Sequence, residues 1–98
     1  MVYSGGQERE LRAKYKWAQK SQDIRERSNY LCAVCRDQGV YTYEGLEVHH
    51  IDKLKDYPEK LLDDYNLICL CVIHHKQADS GELDKDYLKE LVRQREEK

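Results

Sequence analysis

The chain has 98 residues, of which 40% are apolar and 37% are charged, and it contains eight Tyr but no Phe. This length predicts one domain over residues 1–98, and the polar composition predicts a thin core that a structural metal would stabilise. The formal net charge of −2 argues against a protein that binds nucleic acid indiscriminately.

No apolar run approaches the roughly 20 residues that cross a bilayer, and the N-terminus lacks the apolar core of a signal peptide. We therefore expect a soluble, cytoplasmic protein without a membrane partner. In a reducing compartment the four Cys are expected to be metal ligands rather than disulfides.

The charge is unevenly distributed along the chain. Residues 1–36 hold eight Lys and Arg against four Asp and Glu, whereas residues 37–98 hold nine against fifteen. A basic N-terminal third could face phosphates, although an ordinary solvated face explains the pattern equally well. The candidate nucleic-acid contacts in this part are Lys14, Lys16, Lys20, Arg25, Arg27 and Arg36.

Residues 1–6 are predicted to be a loose arm, and residues 7–28 a basic helical part made of two helices. The first runs from Gln7 to about Lys20, and Ser21 caps a second, shorter helix. Trp17 either touches a DNA backbone or anchors the first helix to the metal module, and the anchoring interpretation is preferred. Asn29 suits the left-handed residue that ends the helix, and Tyr30 is expected in the core.

Residues 29–79 carry the paired Cys and His and are expected to form the core. After a turn at 36–39, a short strand is predicted over 40–43, a second strand over 46–50 and a third over 66–71, with a long connection at 51–65. A helix beginning at Ile73 or His74 should end near Asp79. The C-terminal part, 82–98, is predicted to be an amphipathic helix capped by Asp84, with Leu88 and Leu91 on its buried side.

The Cys spacing predicts a structural zinc site with two possible ligand sets. Cys32 and Cys35 form a C-x-x-C knuckle, which lets two thiolates reach one tetrahedral ion. They are completed either by Cys71 and His74, which repeat the ligand-x-x-ligand spacing, or by Cys69 and Cys71, which share one face of a strand. The repeated spacing is preferred, because it allows a tight turn to wrap the ion.

All four His occur as two adjacent pairs, His49-His50 and His74-His75, and the first pair ends a short apolar run. Histidine is too rare and too titratable to accumulate in this way for packing alone. Adjacent residues on a strand point to opposite faces, so His49 and His50 cannot do the same job. One can bind a metal ion while the other faces water.

Three segments together resemble the HNH endonuclease family. They are Cys32-Ala33-Val34-Cys35, then Glu47-Val48-His49-His50-Ile51, and then Asn66-Leu67 followed by Leu70-Cys71-Val72-Ile73-His74-His75. The resemblance covers about residues 27–76 and implies an α+β fold, a small zinc-stapled ββα-metal (His-Me finger) core with flanking helices. His74 stands where the family commonly has a second Cys, which implies the zinc set Cys32, Cys35, Cys71 and His74.

The resemblance also implies site roles. His49 and His75 would bind a catalytic divalent ion (Mg²⁺, Mn²⁺ or Ni²⁺), His50 would be the general base, and Asn66 would hold the His50 loop. Asp79 and Glu47 are treated as background. The implied activity is metal-dependent hydrolysis of a phosphodiester in DNA, with double-stranded DNA as the expected substrate, by nicking as a monomer or by cutting both strands as a homodimer.

Small HNH proteins of this kind are common in phages and prophages, often beside packaging genes, so phage packaging proteins are a possible partner and a host cytoplasm a possible location. The alternative is a non-catalytic zinc module that binds DNA or a protein. Action on RNA also remains open from the motif alone.

Overall fold

The computed structural model describes residues 5–97, and their side chains from residue 13 onward. Within this part of the chain there are four helices and two strands, in the order α1 (Gly5–Arg27), α2 (Ala33–Asp37), β1 (Glu47–His50), β2 (Leu67–Leu70), α3 (Val72–Asp79) and α4 (Lys85–Glu96). Short 3-10 turns at Pro58–Lys60 and Asp64–Asn66 interrupt the long connection between the strands. The predicted α+β class is confirmed.

The strands form an antiparallel hairpin in which Glu47 lies opposite Leu70 and His50 opposite Leu67. Because side chains alternate along a strand, this register sends Val48 and His50 to one face and Glu47 and His49 to the other. The hairpin is covered on both faces, which explains why every residue of β2 is buried.

Each face of the hairpin has its own apolar cluster. On one face, Ile68 and Leu70 pack with three cysteines, Cys32, Cys35 and Cys71, and with three residues of α4, namely Leu88, Leu91 and Val92. On the other face, Leu67 and Cys69 pack with Ile24 of α1, and Trp17 lies against them. The two flanking helices therefore sandwich the hairpin from opposite sides.

The N-terminal part differs from the prediction of a loose arm followed by two helices. Gly5 and Gly6 already belong to α1, residues 1–4 lie outside the described part, and the helix continues unbroken through Ser21. Ser21 is buried at 7% exposure, on the side of the helix that also buries Ile24. Burial against the hairpin holds this stretch helical, and local capping preference does not reveal such packing. The left-handed end is present as expected, at Asn29 with φ 57°.

Two further predictions are wrong. Residues 40–43 form no strand; Tyr41 and Tyr43 are both 69% exposed, and the segment is held by the bond from Cys32 N to the Thr42 carbonyl, 2.9 Å. Tyr30 is 46% exposed rather than in the core, and its hydroxyl accepts a hydrogen bond from Gln22. In both cases aromatic side chains that favour burial lie beyond the edge of a core too small to cover them.

The C-terminal prediction agrees with the structure. α4 is capped by Asp84, whose side chain accepts from the Asp86 N–H, and it buries Leu88 and Leu91. Within residues 5–97 no helix combines the length and the apolar character needed to span a membrane.

Candidate active site and metal centre

Three sulfur atoms and one nitrogen atom lie close together where two helices begin. Cys32 is the N-cap of α2, with Cys35 in its first turn, and Cys71 is the N-cap of α3, with His74 in its first turn. A ligand at the cap and a second three residues later lie on the same side of a helical turn. Each helix start thus presents two ligands, and the hairpin brings the two starts together.

The atoms are separated as a tetrahedral zinc ion requires. His74 Nδ1 lies 3.5 Å from Cys32 Sγ, 3.3 Å from Cys35 Sγ and 3.3 Å from Cys71 Sγ, and the Cys35 and Cys71 sulfurs are 3.9 Å apart. Ideal tetrahedral bonds to zinc give ligand separations of about 3.6 Å for S to N and about 3.8 Å for S to S. The four side chains fit one structural zinc ion.

The helix starts also favour the thiolate form of one ligand. Burial opposes charge on Cys71, yet its pKa is lowered, because the backbone N–H groups of His74 and Ile73 and the neighbouring thiols donate towards its sulfur. Cys32 behaves differently: burial raises its pKa to about 12. A cation at the centre of the cluster would therefore be needed to hold Cys32 as a thiolate.

Cys69 lies outside this group. It is opposite Val48 on the face of the hairpin that meets α1, packed with Ile24 and Leu67 and fully buried. Burial raises the pKa of its thiol to about 11, as expected for a small apolar residue. The structure brings together the first of the two ligand sets, whereas Cys69 and Cys71 are on different sides of the hairpin.

A second group of metal-binding side chains lies between β1 and α3. His49 Nδ1 is 3.4 Å from Asp79 Oδ1, and His75 Nε2 is 3.7 Å from Asp79 Oδ2. Ligand atoms of all three residues lie within 4.8 Å of one another. Two imidazoles and one carboxylate suit Mn²⁺, Co²⁺ or Ni²⁺ better than an all-oxygen site would.

His75 is oriented by a carboxylate behind it. Its Nδ1 donates to Glu47 Oε2 across the gap from α3 to β1, which leaves Nε2 as the free ligand atom on the side of Asp79. A carboxylate that holds the far nitrogen of a histidine is a common support for a metal ligand. Glu47 and His49 are two residues apart on β1, so both face α3.

His49 is in the neutral form that a metal ligand needs. It is 7% exposed, and burial lowers its pKa to about 4, with Asp79 acting against the shift. Its ring meets the His75 ring edge-on, with centroids 5.1 Å apart. Near neutral pH His49 therefore offers a lone pair rather than a charge.

His50 faces the other way, towards α1. Its Nε2 lies 3.0 Å from the Leu61 carbonyl oxygen, and since a carbonyl can only accept, the hydrogen is on Nε2. In this tautomer Nδ1 carries the free lone pair and is the atom able to take up a proton. The indole of Trp17 stacks on the ring, with centroids 4.7 Å apart.

Asn66 closes the long connection at its base. Its Oδ1 accepts from the Asp52 N–H at 2.7 Å, and its Nδ2 donates to the carbonyls of Asp52 at 3.2 Å and Lys60 at 3.4 Å. Asn66 is 3% exposed, and all of these partners are backbone atoms. The amide thus holds the segment that carries the Leu61 carbonyl, and through it the His50 ring.

The six basic residues predicted to contact nucleic acid are in different situations. Lys20 and Arg27 both pair with Asp64, at 2.5 and 3.1 Å, and Arg27 also pairs with Asp23 and Glu96. Arg25 is partly buried, whereas the exposed three are Lys14 and Lys16 on α1 and Arg36 on α2. Asp64 and its neighbours therefore neutralise two of the six within the protein.

A hairpin and a following helix that together carry side chains able to hold metal ions define a ββα-metal domain. Consistent with this, the sequence model of the family described as HNH endonuclease matches residues 32–81. The matched segment is just over half of the chain and includes both ligand groups and Asn66. The chain belongs to the HNH endonuclease family, which comprises nucleases that act on DNA and use divalent metal ions. No curated protein and no solved structure matched the chain.

Three residues contribute more to the candidate site than the sequence predicted. Asp79 lies four residues after His75, the spacing that places two side chains on one helical face, so the signal was present. Glu47 precedes His49 by two on a strand, which likewise puts the two on one face. Trp17 gave no sequence signal for its contact with His50, because that contact depends on how α1 packs on the hairpin.

Proposed function

We propose that this protein is a metal-dependent DNA endonuclease that hydrolyses a phosphodiester with one divalent ion and with His50 as general base. The observation that carries the proposal is the fixed tautomer of His50. The Nε2 of His50 donates to the Leu61 carbonyl, so the basic Nδ1 is free. His50 directly follows His49, which together with His75 and Asp79 could hold a metal ion. His50 is half-buried, and a histidine kept only for packing would have no reason to neighbour such a group.

The residues divide the work as follows. His49, His75 and Asp79 would hold the ion, which would stabilise the negative charge that develops on the phosphate. His50 Nδ1 takes the proton from the attacking water, and the product is expected to carry a 5′ phosphate. Asn66 keeps the loop behind His50 in place through its backbone bonds.

Zinc at Cys32, Cys35, Cys71 and His74 is proposed as a structural ion. It ties the start of α2 to the start of α3, and α3 carries both His75 and Asp79. The zinc would therefore act on catalysis through the position of α3.

DNA is proposed to contact the protein through exposed cations that do not pair with Asp64. The exposed cations Lys14, Lys16 and Arg36 are the strongest candidates for phosphate contacts, with Arg25 as a further one, whereas Lys20 and Arg27 hold α1 to Asp64. A single site of this kind cuts one strand, so a monomer would nick, and cutting both strands would need a homodimer.

A plasmid-nicking assay tests the proposal. Zinc-loaded protein is dialysed free of other metals and incubated with supercoiled plasmid and added Mg²⁺, Mn²⁺ or Ni²⁺, and wild type is compared with His50→Ala. We expect metal-dependent conversion to open circles, lost in His50→Ala at unchanged zinc content and melting temperature. Linear plasmid that forms early in the reaction would indicate cleavage of both strands by a dimer. The same assay with an RNA substrate tests whether the enzyme also cleaves RNA.

No cleavage with any of these ions, by protein that is folded and zinc-loaded, would contradict the proposal. It would favour the alternative, a non-catalytic zinc module that binds DNA or a protein. The excess of Asp and Glu in residues 37–98 agrees with that alternative. The alternative does not, however, explain the group of potential metal ligands His49, His75 and Asp79.

A further inference from the structure

The helix α1 precedes the matched segment 32–81, yet one of its side chains reaches His50. The Trp17 indole and the His50 imidazole have centroids 4.7 Å apart and planes inclined by 26°, a stacked arrangement. Trp17 is partly buried and packs beside the cluster formed by Ile24, Leu67 and Cys69. The ring that touches His50 is therefore itself held by packing.

Two contacts with different geometry constrain the His50 ring. A stacked indole fixes the plane of the imidazole but leaves it free to turn within that plane. The bond from Nε2 to the Leu61 carbonyl, 3.0 Å, fixes the rotation within the plane but tolerates tilting about its own axis. Together they leave one orientation.

We propose that Trp17 is a positioning residue for His50: with the Leu61 carbonyl, it holds the imidazole in the single orientation in which Nδ1 is free. The positioning is a statement about the folded protein. Its effect on catalysis rests on the proposed function, since it assumes that His50 is the base. The rate enhancement by a general base depends on its accurate placement, because small misplacements lower the rate steeply.

The placement of α1 supports this role. Three residues beyond Trp17, Lys20 forms an ion pair of 2.5 Å with Asp64, and Arg27 joins the same carboxylate at 3.1 Å. Asp64 begins the turn that ends in Asn66, the residue that anchors the loop behind His50. The helix that carries Trp17 and the loop that carries the Leu61 carbonyl are thus fixed to each other.

The variants for the test are Trp17→Leu, which keeps an apolar side chain without a ring, and Trp17→Phe, which keeps a smaller ring. Tyr15→Leu is the matched control, since Tyr15 is an aromatic residue on the same helix that is 66% exposed. Nuclear magnetic resonance of zinc-loaded protein reads the stack directly, because an indole face shifts the His50 ring protons upfield. We expect that shift to disappear in Trp17→Leu and to persist in Tyr15→Leu.

Nicking kinetics measure the effect of the Trp17 variants on catalysis. We expect kcat to fall about 100-fold in Trp17→Leu, the loss typical of a misplaced group, and to recover most of that in Trp17→Phe. KM should stay within about twofold, because the lost interaction acts on the base and not on DNA binding.

The outcomes distinguish the positioning role of Trp17 from the proposed nuclease function. Unchanged His50 shifts in Trp17→Leu overturn the positioning, and a raised KM at unchanged kcat overturns it in favour of a DNA contact. If wild type cleaves no DNA while the indole shift is present, the proposed function fails and the positioning stands. Should Trp17→Leu not fold, Trp17→Phe decides, because its weaker ring must reduce the shift.

Discussion

His75 on α3 donates a hydrogen bond through Nδ1 to the Glu47 carboxylate on β1. This contact joins the two elements that hold the candidate metal site and turns His75 Nε2 towards Asp79. A charged acceptor also makes the imidazole a stronger donor of its remaining lone pair. The position of a candidate metal ligand thus depends on a strand residue 28 positions earlier in the chain.

Replacing that support should weaken metal binding. We expect Glu47→Ala to lower the affinity of zinc-loaded protein for Mn²⁺ by about 10- to 100-fold, the range found for outer partners of metal ligands. Titration calorimetry measures the affinity, and Glu44→Ala, an exposed acidic residue before the same strand, is the control. Equal affinities for the two variants would mean that Glu47 does not support the site.

Asp79 should matter as a direct ligand. In Asp79→Asn we expect the Mn²⁺ concentration that gives half-maximal nicking to rise by about tenfold or more, since even outer partners contribute that much. Glu82→Gln, an exposed acidic residue just beyond α3, should leave the concentration dependence unchanged. A normal metal dependence in Asp79→Asn would leave only the two histidines at the site.

The zinc assignment can be tested by a contrast between two buried cysteines. Cys71→Ser should lose zinc and unfold, because structural zinc contributes roughly 10 kcal/mol or more, comparable to the whole stability of a small domain. Cys69→Ala should keep its zinc and lose only about 1 kcal/mol, as for a small buried group. Metal analysis and thermal unfolding measure both effects.

His74→Ala extends the same contrast. It should behave like Cys71→Ser, because it removes the nitrogen that lies within 3.5 Å of three sulfurs. Full zinc content in His74→Ala, together with zinc loss in Cys69→Ala, would reverse the ligand assignment.

Asn66 should be intolerant of an acidic side chain. In Asn66→Asp a carboxylate would replace the amide that donates to the carbonyls of Asp52 and Lys60. We expect the free energy of unfolding to fall by about 2 kcal/mol, because two acceptors lose their donor in a buried place. Denaturant unfolding measures this change. We also expect kcat to fall, because the loop that orients His50 is released. An unchanged free energy of unfolding would mean that water reaches the side chain of Asn66.

The buried histidine makes stability depend on pH. The pKa of His49 is about 4 in the folded protein against an ordinary value of 6.5, so the unfolded chain binds a proton between these values that the folded chain excludes. Stability is therefore lost as the pH falls through this window. Going from pH 6.5 to pH 5 should remove about 2 kcal/mol.

Thermal unfolding without added divalent ions checks this dependence. His49→Asn should lose less stability than wild type over the same pH range, and the comparison cancels any contribution from the zinc ligands. Identical pH profiles for the two proteins would mean that burial does not lower the pKa of His49 in the folded state.

The sequence by itself determined the local units. The x-x spacings of Cys32 with Cys35 and of Cys71 with His74 place each pair on one helical turn, and the alternation around His49 and His50 sends these two to opposite faces. Such features depend on neighbours within four residues, where backbone geometry leaves little choice. Together with Asn66, these units carry the resemblance that predicted the HNH endonuclease family and its α+β fold.

Tertiary structure decided the rest. Cys69 faces α1 while Cys71 caps α3, a separation that two-residue spacing on a strand could not reveal. Ser21 stays helical because the hairpin covers it, and Trp17 meets His50 only because α1 lies across that face. Lys20 and Arg27 are neutralised by Asp64, more than thirty residues away along the chain. Each of these depends on which surfaces pack together, a property of the whole fold rather than of any short window of sequence.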